Sequence, residues 1–376
     1  MGFTVGMKIY TLDWYLKYNL DYVEAAKKLK EQGIGLVLAQ SKYLPMADTA
    51  VKSEVPPELQ ERLDSYDDRL FRKALAEEGI EYWAACNMFF DPRAMEKHGN
   101  VSVDDLGRTA EVLDWYIGAC PTCDGYVEDK IQAIEGAIEA LRPDGVFLGF
   151  CRFPGFWEIW LPETLREGWR EYCFCPRCLA QFQDATGVTI DSWGEQKPGQ
   201  WIRQNAYEQW VDWKGSVIRD IIKRVKERAN KIRPGTRIML NSLPLDTAHF
   251  GQAAREVFGQ DWRKLAEVVD VFEVMTYHQI LKRPVEWIAG VGSEIKQVTN
   301  RTVLCTVQAK SMYLQGMHEG KGRQLSISPD EFGAALRSVK DAGLDGAVVF
   351  LWTDFLEQVL VNNDPRRIDM IRALTA

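Results

Sequence analysis

The sequence predicts a (β/α)8 barrel. Short runs rich in β-branched and aromatic residues alternate with amphipathic helical stretches, and the alternation repeats eight times in 376 residues. That is the pattern of a parallel sheet with crossover helices, and eight such units in a chain of this length point to a closed ring. A doubly wound open sheet is the structural competitor. The first turn carries no G-x-G-x-x-G and no P-loop is visible, which argues against nucleotide binding.

Each element has its own signal. Strand one is read in GMKIYTL and its helix in LDYVEAAKKLKEQG. Strand two is GLVLAQS, followed after a loop by the helix DDRLFRKALAEEG. Strand three is IEYWAACNMFF. Its helix, YVEDKIQAIEGAIEALRP, sets Val127, Ile131, Ile134, Ile138 and Leu141 on one stripe at steps of three and four. Strand four is GVFLGFCRF, and residues 154–202 then form an insertion before the helix QNAYEQWVDWKGSVIRDIIKRVKERANKIRPG. Strand five is TRIMLNSL with helix DWRKLAEVV, and strand six is DVFEVMTYH with helix PVEWIAGVGSEIKQVTN. Strand seven is RTVLCTVQA with helix SPDEFGAALRSVKDAG, and strand eight is GAVVFLW with helix DPRRIDMIRAL. The expected organisation is one barrel over residues 1–376, with an enlarged, cysteine-clamped loop after strand four.

Composition narrows the partners. With 46% hydrophobic and 27% charged residues the chain builds a packed core. A net charge of −8 argues against nucleic acid or an anionic membrane as partner. No apolar run approaches the roughly 20 residues of a membrane span. The start, MGFTVGMKIYTLDWY, lacks the basic and apolar blocks of a signal peptide, so a cytoplasmic location is expected; a leader already removed stays open. Nothing in the sequence opposes a homo-oligomer. No motif for an organic cofactor stands out. Thirteen tryptophans, several near predicted strand ends, suit stacking on sugar rings as well as plain core packing.

Five of the eight cysteines fall in two clusters, CPTC at 120–123 and CFCPRC at 173–178. In a chain this long they are not a small-domain disulfide framework. Three thiols in C-x-C-x-x-C supply three zinc ligands from one loop: Cys173, Cys175 and Cys178. The fourth comes from the preceding βα loop, which leaves the same end of the barrel, and is Cys120 or Cys123. No histidine lies near either cluster, so a closed structural site is expected rather than a catalytic one.

The stretches ACPTCDGYVEDKIQAI, ALRPDGVFLGF and YCFCPRCLAQFQDATGVTIDSWGE resemble the glycoside hydrolase family 42 β-galactosidases. GLDGAVVFLWTDFLE resembles that family's aromatic-rich last strand. The resemblance implies a structural zinc held by Cys120, Cys173, Cys175 and Cys178, a carbohydrate substrate and a pair of catalytic glutamates at the ends of strands four and seven. Here strand four ends GFCRFP and strand seven ends CTVQAK, so neither glutamate is present. Against amylase- and chitinase-like strand-four motifs the acid position falls on Gly149 or Cys151. The M-T-Y of strand six ends in His278 where chitinase-like barrels have Asp.

Glycoside hydrolysis needs two carboxyl groups across the scissile bond, and in a barrel they stand at the C-terminal strand ends. Three carboxylates qualify. Glu158 lies in WEIW just past strand four, between Trp157 and Trp160, where apolar rings would raise its pKa. Glu273 lies within strand six, where a carboxylate is costly unless paired or functional. Asp354 follows Trp352 at the mouth of strand eight, where it serves equally as a helix cap. Asn87, Arg152, Asn241, Tyr277, His278, Gln308 and Lys310 are the expected polar lining, with Trp157 and Trp352 as stacking faces; each also has an ordinary structural reading. The reading that follows is a glycosidase using Glu158 with Glu273 or Asp354. The alternatives are a carbohydrate-binding barrel without catalysis and a metal-dependent sugar isomerase-type barrel using Glu273 and His278.

Overall fold

The computed structural model describes residues 2–45, 56–191 and 196–375. Its strands are β1 (Thr4–Ile9), β2 (Leu36–Ala39), β3 (Glu81–Asn87), β4 (Gly145–Gly149), β5 (Arg237–Ser242), β6 (Val271–Val274), β7 (Thr302–Gln308) and β8 (Gly346–Phe350). Each strand pairs in parallel with the next, and β8 pairs with β1, so the sheet closes in sequence order. The expected (β/α)8 barrel is the observed fold.

Closure sorts side chains by parity, because neighbours along a strand point to opposite faces. One set, including Leu38, Trp83, Phe147, Met239, Leu304 and Val348, fills the inside of the ring. The other set, including Val5, Val37, Ala84, Val146, Val303 and Val349, meets the helices in a second, larger core. Glycines admit the bulky members. A Cβ on Gly145 would stand 2.2 Å from the Trp83 ring, and one on Gly346 would stand 2.1 Å from the Thr4 carbonyl oxygen.

The helices follow from local sequence. Asp124–Leu141 buries Val127, Ile131, Ile134, Ile138 and Leu141, the stripe read from the sequence. Tyr22–Glu31 begins at a capping box in which Asp21 accepts from the Glu24 amide and Glu24 accepts from the Asp21 amide. The stretch expected as a helix over 261–269 is helical only at Trp262–Leu265. Asp261 caps its start, and a turn follows in which the Val268 and Val269 amides both donate to the Leu265 carbonyl before the Asp270 amide bonds the Ile238 carbonyl at the start of β6.

The insertion after β4 has structure of its own. A single turn covers Trp157–Ile159, and helices cover Pro176–Thr186 and Pro198–Asn205; residues 192–195 lie outside the described part. Among the described residues no helix is long and apolar enough to cross a membrane.

Gly346→Ala is expected to destabilise the fold by about 1–3 kcal/mol, because the blocking atom is backbone and cannot swing aside. Gly136→Ala, with open space on an exposed helix face, is expected to stabilise by about 1 kcal/mol. Urea denaturation of both variants measures the contrast.

Candidate active site and thiol cluster

Parity puts Lys8 of β1 inside the ring, on the same face as Gly6 and Tyr10. Its ammonium lies 3.0 Å from Glu273 Oε1, and the two side chains are 1% and 0% exposed. Asn241 Nδ2 donates to Glu273 Oε2 at 2.5 Å, and the Thr306 hydroxyl donates to Oε1. Lys8 also donates to the Tyr277 hydroxyl at 3.3 Å and lies 5.4–5.7 Å from the ring centres of Phe147, Tyr277 and Phe350. Burial pulls the Lys8 pKa down against the pull of Glu273. Four strands thus contribute one polar layer directly above the apolar interior. Both oxygens of Glu273 are engaged, so it holds the layer together and presents no free face to a substrate.

Above that layer the turn Trp157–Ile159 carries Glu158. The residue is 5% exposed, and Oε2 has no hydrogen-bond partner among the described residues. Burial pushes its pKa up to about 7, although Arg152 and Arg323 oppose the rise. The turn is fixed at two points. Trp157 stacks on Tyr277 with ring centres 6.1 Å apart, and Arg323 Nη2 donates to the Glu158 carbonyl at 2.7 Å.

Three tyrosines, Tyr116, Tyr277 and Tyr313, feel the Glu158 charge, as burial and that charge together raise their pKa values. The Asp114 charge adds a smaller push to the Glu158 rise, and its Oδ2 lies 3.0 Å from His318 Nε2. Arg323 Nη1 approaches His318 Nδ1 at 3.4 Å, so Nδ1 accepts and Nε2 donates to Asp114. Phe150, leaving β4 with φ of 51°, places its ring between Phe90 and Tyr116. A bulky residue in that backbone region is held there by its surroundings, a feature that gathers at functional sites.

The expected lining residues divide. Asn241 and Tyr277 join the Lys8 layer. Asn87 ends β3 with Nδ2 unpartnered, and its Oδ1 would lie 2.9 Å from a Cβ on Gly149. Among the described residues Arg152 meets no carboxylate within ion-pair distance; it donates to the Gly155 carbonyl at 2.7 Å and lies over the Phe258 and Tyr116 rings. Gln308 is buried and exchanges hydrogen bonds with Gln279, whose backbone N–H donates to Gln308 Oε1. His278 turns to Glu331 at 3.0 Å, on the helix Pro329–Asp341, and burial lowers its pKa.

Trp157 and Trp352, expected as stacking faces, are 0% and 1% exposed and offer no open face. The first is covered by Tyr277 and the second packs on Trp14. Asp354 stands apart, on the β8 side, 3.9 Å from Lys310, which also bonds Glu357 at 3.0 Å. Burial raises the Asp354 pKa.

Sequence reasoning passed over Lys8, Asp114, Tyr116, Tyr313, His318 and Arg323. Lys8 had a signal, since a lone charge inside GMKIYTL breaks the pattern just as Glu273 does in β6. Asp114 had one too. Leu-Asp-Trp-Tyr occurs at 12–15 and again at 113–116. In the first copy Trp14 and Tyr15 are buried; in the second Tyr116 is buried too, while Trp115 is half-buried and Asp114 is exposed. His318 and Arg323 lie in the loop after β7 and carry no local pattern.

The thiols of Cys120, Cys173, Cys175 and Cys178 lie within 4.8 Å of one another, all buried and none in a disulfide. Cys123 is not in the group and instead precedes the helix Asp124–Leu141. Buried Asn100 grips the Cys120 backbone from both sides, accepting from its N–H at 3.2 Å and donating to its carbonyl at 3.1 Å. The Thr122 hydroxyl sits 3.1 Å from the Cys120 sulfur and 3.2 Å from that of Cys178. Four sulfurs so disposed can hold one metal ion.

No protein-family model matches the chain, and no curated protein matches it in sequence. Its fold is similar to solved glycosidases. The PgaB (BpsB) glycoside hydrolase domain from Bordetella bronchiseptica superposes with a TM-score of 0.65 at 13% identity, over 97% of this chain and 98% of that one. A β-galactosidase from Bacillus circulans sp. alkalophilus gives 0.62 at 13% identity, over 93% of this chain and 50% of that one. A catalytic mutant of Gan42B, a GH42 β-galactosidase from G. stearothermophilus, gives 0.63 at 12% identity, over 100% and 56%. The chain therefore spans about half the length of these two β-galactosidases, and at such identities the likeness is one of fold.

Lys8→Met is expected to cost about 3–5 kcal/mol, because it leaves Glu273 charged, buried and unpaired. Replacing both partners by Met is expected to restore most of that loss. Chemical denaturation of the two single variants and the double variant reads the coupling.

Proposed function

We propose that this protein is a glycoside hydrolase-like enzyme, cleaving the O-glycosidic bond of an oligosaccharide or glycoside at the C-terminal mouth of the barrel. The observation that carries the reading is the Glu158 carboxyl: buried, with one oxygen unpartnered and a pKa of about 7. A proton donor works best when its pKa lies near the working pH, and burial among aromatic rings is how a glutamate reaches that value. Asp114 is the second carboxyl in this proposal. Its charge reaches Glu158 from the same rim and its His318 contact orients it. Glu273, saturated by Lys8, Asn241 and Thr306, acts through Tyr277 as a positioning residue. Asp354 is the competing second carboxyl.

Gly149 and Gln308 favour a second reading, a carbohydrate-binding barrel without turnover. Gly149 stands at the acid position of the amylase- and chitinase-like strand-four motifs, Gln308 is the polar group nearest the end of β7, and Asn87 fills the space beside Gly149. The isomerase-type reading has less support. The cysteine cluster is the one metal-capable group of His, Cys, Asp and Glu among the described residues, and Glu273 and His278 do not meet in such a group.

The four thiols are proposed to hold a structural zinc. Tetrahedral zinc with sulfur at about 2.3 Å separates its ligands by roughly 3.8 Å. The Cys120 sulfur lies 3.4 Å from that of Cys178 and 3.6 Å from that of Cys175, which fits. A four-thiolate shell leaves no open position, so the metal would stabilise the loop and take no part in the reaction.

Glu158→Gln is expected to lower kcat on aryl glycosides or oligosaccharides about 10²–10⁴-fold. The acid is competent only while protonated, so wild-type kcat should hold below pH 7 and fall as pH rises through about 7. Asp114→Asn and Asp354→Asn in the same assay identify the second carboxyl. Sugar binding without turnover in the wild type would favour the binding barrel. For the thiols, elemental analysis should find one zinc per chain, and Cys175→Ser should lose it and melt several degrees lower.

A further inference from the structure

Beside the Glu158 turn runs a groove of about 330 Å3, within the size range of small-molecule clefts. Its walls come from two loops. The loop after β3 supplies Tyr116 and exposed Val112, and the insertion after β4 supplies Phe156, Trp160 and Tyr172. Among the described lining residues the charged side chains are Glu111 and Arg170, one of each sign.

We propose that this groove is an extended subsite for a neutral oligosaccharide, with the cysteine-clamped segment as its outer wall. The proposal rests on the glycosidase reading above and adds the direction in which the sugar chain runs, from the barrel mouth outward between the β3 and β4 loops.

Continuity with the catalytic turn selects this occupant. Phe156, Ile159 and Trp160 line the groove and bracket Glu158 in sequence, while Trp157 and Glu158 turn inward. Tyr116 joins the two walls: its ring stacks on Phe156 with centres 6.0 Å apart, and its hydroxyl accepts from the Gly155 amide at 3.4 Å. The Tyr116, Phe156 and Trp160 rings are buried and form the groove's apolar base, so half-exposed Tyr172 and exposed Val112 are the apolar side chains that would meet the C–H faces of a pyranose ring. A strongly charged ligand would find no matching excess on the walls.

The outer wall is held from behind. Tyr172 bridges to Asp104, Phe174 donates its amide to the Val103 carbonyl at 2.8 Å, and the Val103 amide donates to the Cys173 sulfur at 3.4 Å. Tyr172 therefore sits one residue from the thiol cluster, and the clamp fixes a surface facing the groove.

The test is calorimetric titration of the full chain with galacto-, cello- and chito-oligosaccharides of one to six units. For one series, affinity is expected to rise at least tenfold from monosaccharide to tetrasaccharide. Val112→Arg, at a position open to solvent, should remove that gain without changing the melting temperature. Tyr172→Ala should do the same wherever it folds. The glycosidase reading is read separately, from turnover. Length-dependent binding lost in Val112→Arg supports the groove even where the wild type shows no turnover. Turnover with affinity independent of chain length, a length dependence untouched by Val112→Arg, or no binding in any series would overturn it.

Discussion

Closing eight parallel strands leaves a narrow shaft in which every inward side chain must be matched to those around it. The lower part of the shaft meets this with apolar bulk set against glycine: Trp83 over Gly145, and Gly346 against the Thr4 carbonyl. The upper part meets it with a buried ion pair. Lys8 and Glu273 are tolerated there only because each finds further partners, Tyr277 on one side and Asn241 and Thr306 on the other. A buried pair of this kind says more about specificity of arrangement than about net stability. It joins β1, β5, β6 and β7 at one height and sets the floor on which the mouth is built.

The mouth inherits its order from that floor. Lys8 holds the Tyr277 hydroxyl, Tyr277 covers Trp157, and the turn bearing Trp157 carries Glu158. A second support comes from the opposite loop, where Arg323 grips both the Glu158 carbonyl and the His318 ring beside Asp114. The third is the insertion. Its thiols lie against Cys120 of the preceding loop, and buried Glu171 draws in Arg166, Arg203 and Tyr207. The loops after β3, β4 and β7 are thus fixed to one another around a single carboxyl.

This arrangement differs from the pattern that the family 42 resemblance implies. The fold is similar to glycosidases, yet β4 ends in Gly149 and β7 in Gln308, with no glutamate at either strand end, and Gln308 is committed to Gln279. The acid proposed above, Glu158, lies in the insertion rather than at a strand end. A carboxyl on a loop can be protonation-tuned only if the loop is buried and rigid, which gives the cysteine clamp and the aromatic rim a role beyond simple stability.

Much of this was legible in the chain. The eight strands, the long amphipathic helices and the three clustered thiols follow from periodicity and spacing, because such signals are local and repeat. The burial of Glu158 was suggested by its flanking tryptophans. Other features depend on residues far apart in sequence. Lys8 meets Glu273 across 265 positions, Asp114 meets His318 across 204, and Cys120 rather than Cys123 meets the C-x-C-x-x-C loop. The sequence by itself determined which segments become strands and helices and which side chains alternate inward. Only the tertiary structure decided which inward and rim groups touch, because ring closure and loop packing, not local preference, set the distance between residues so widely separated along the chain.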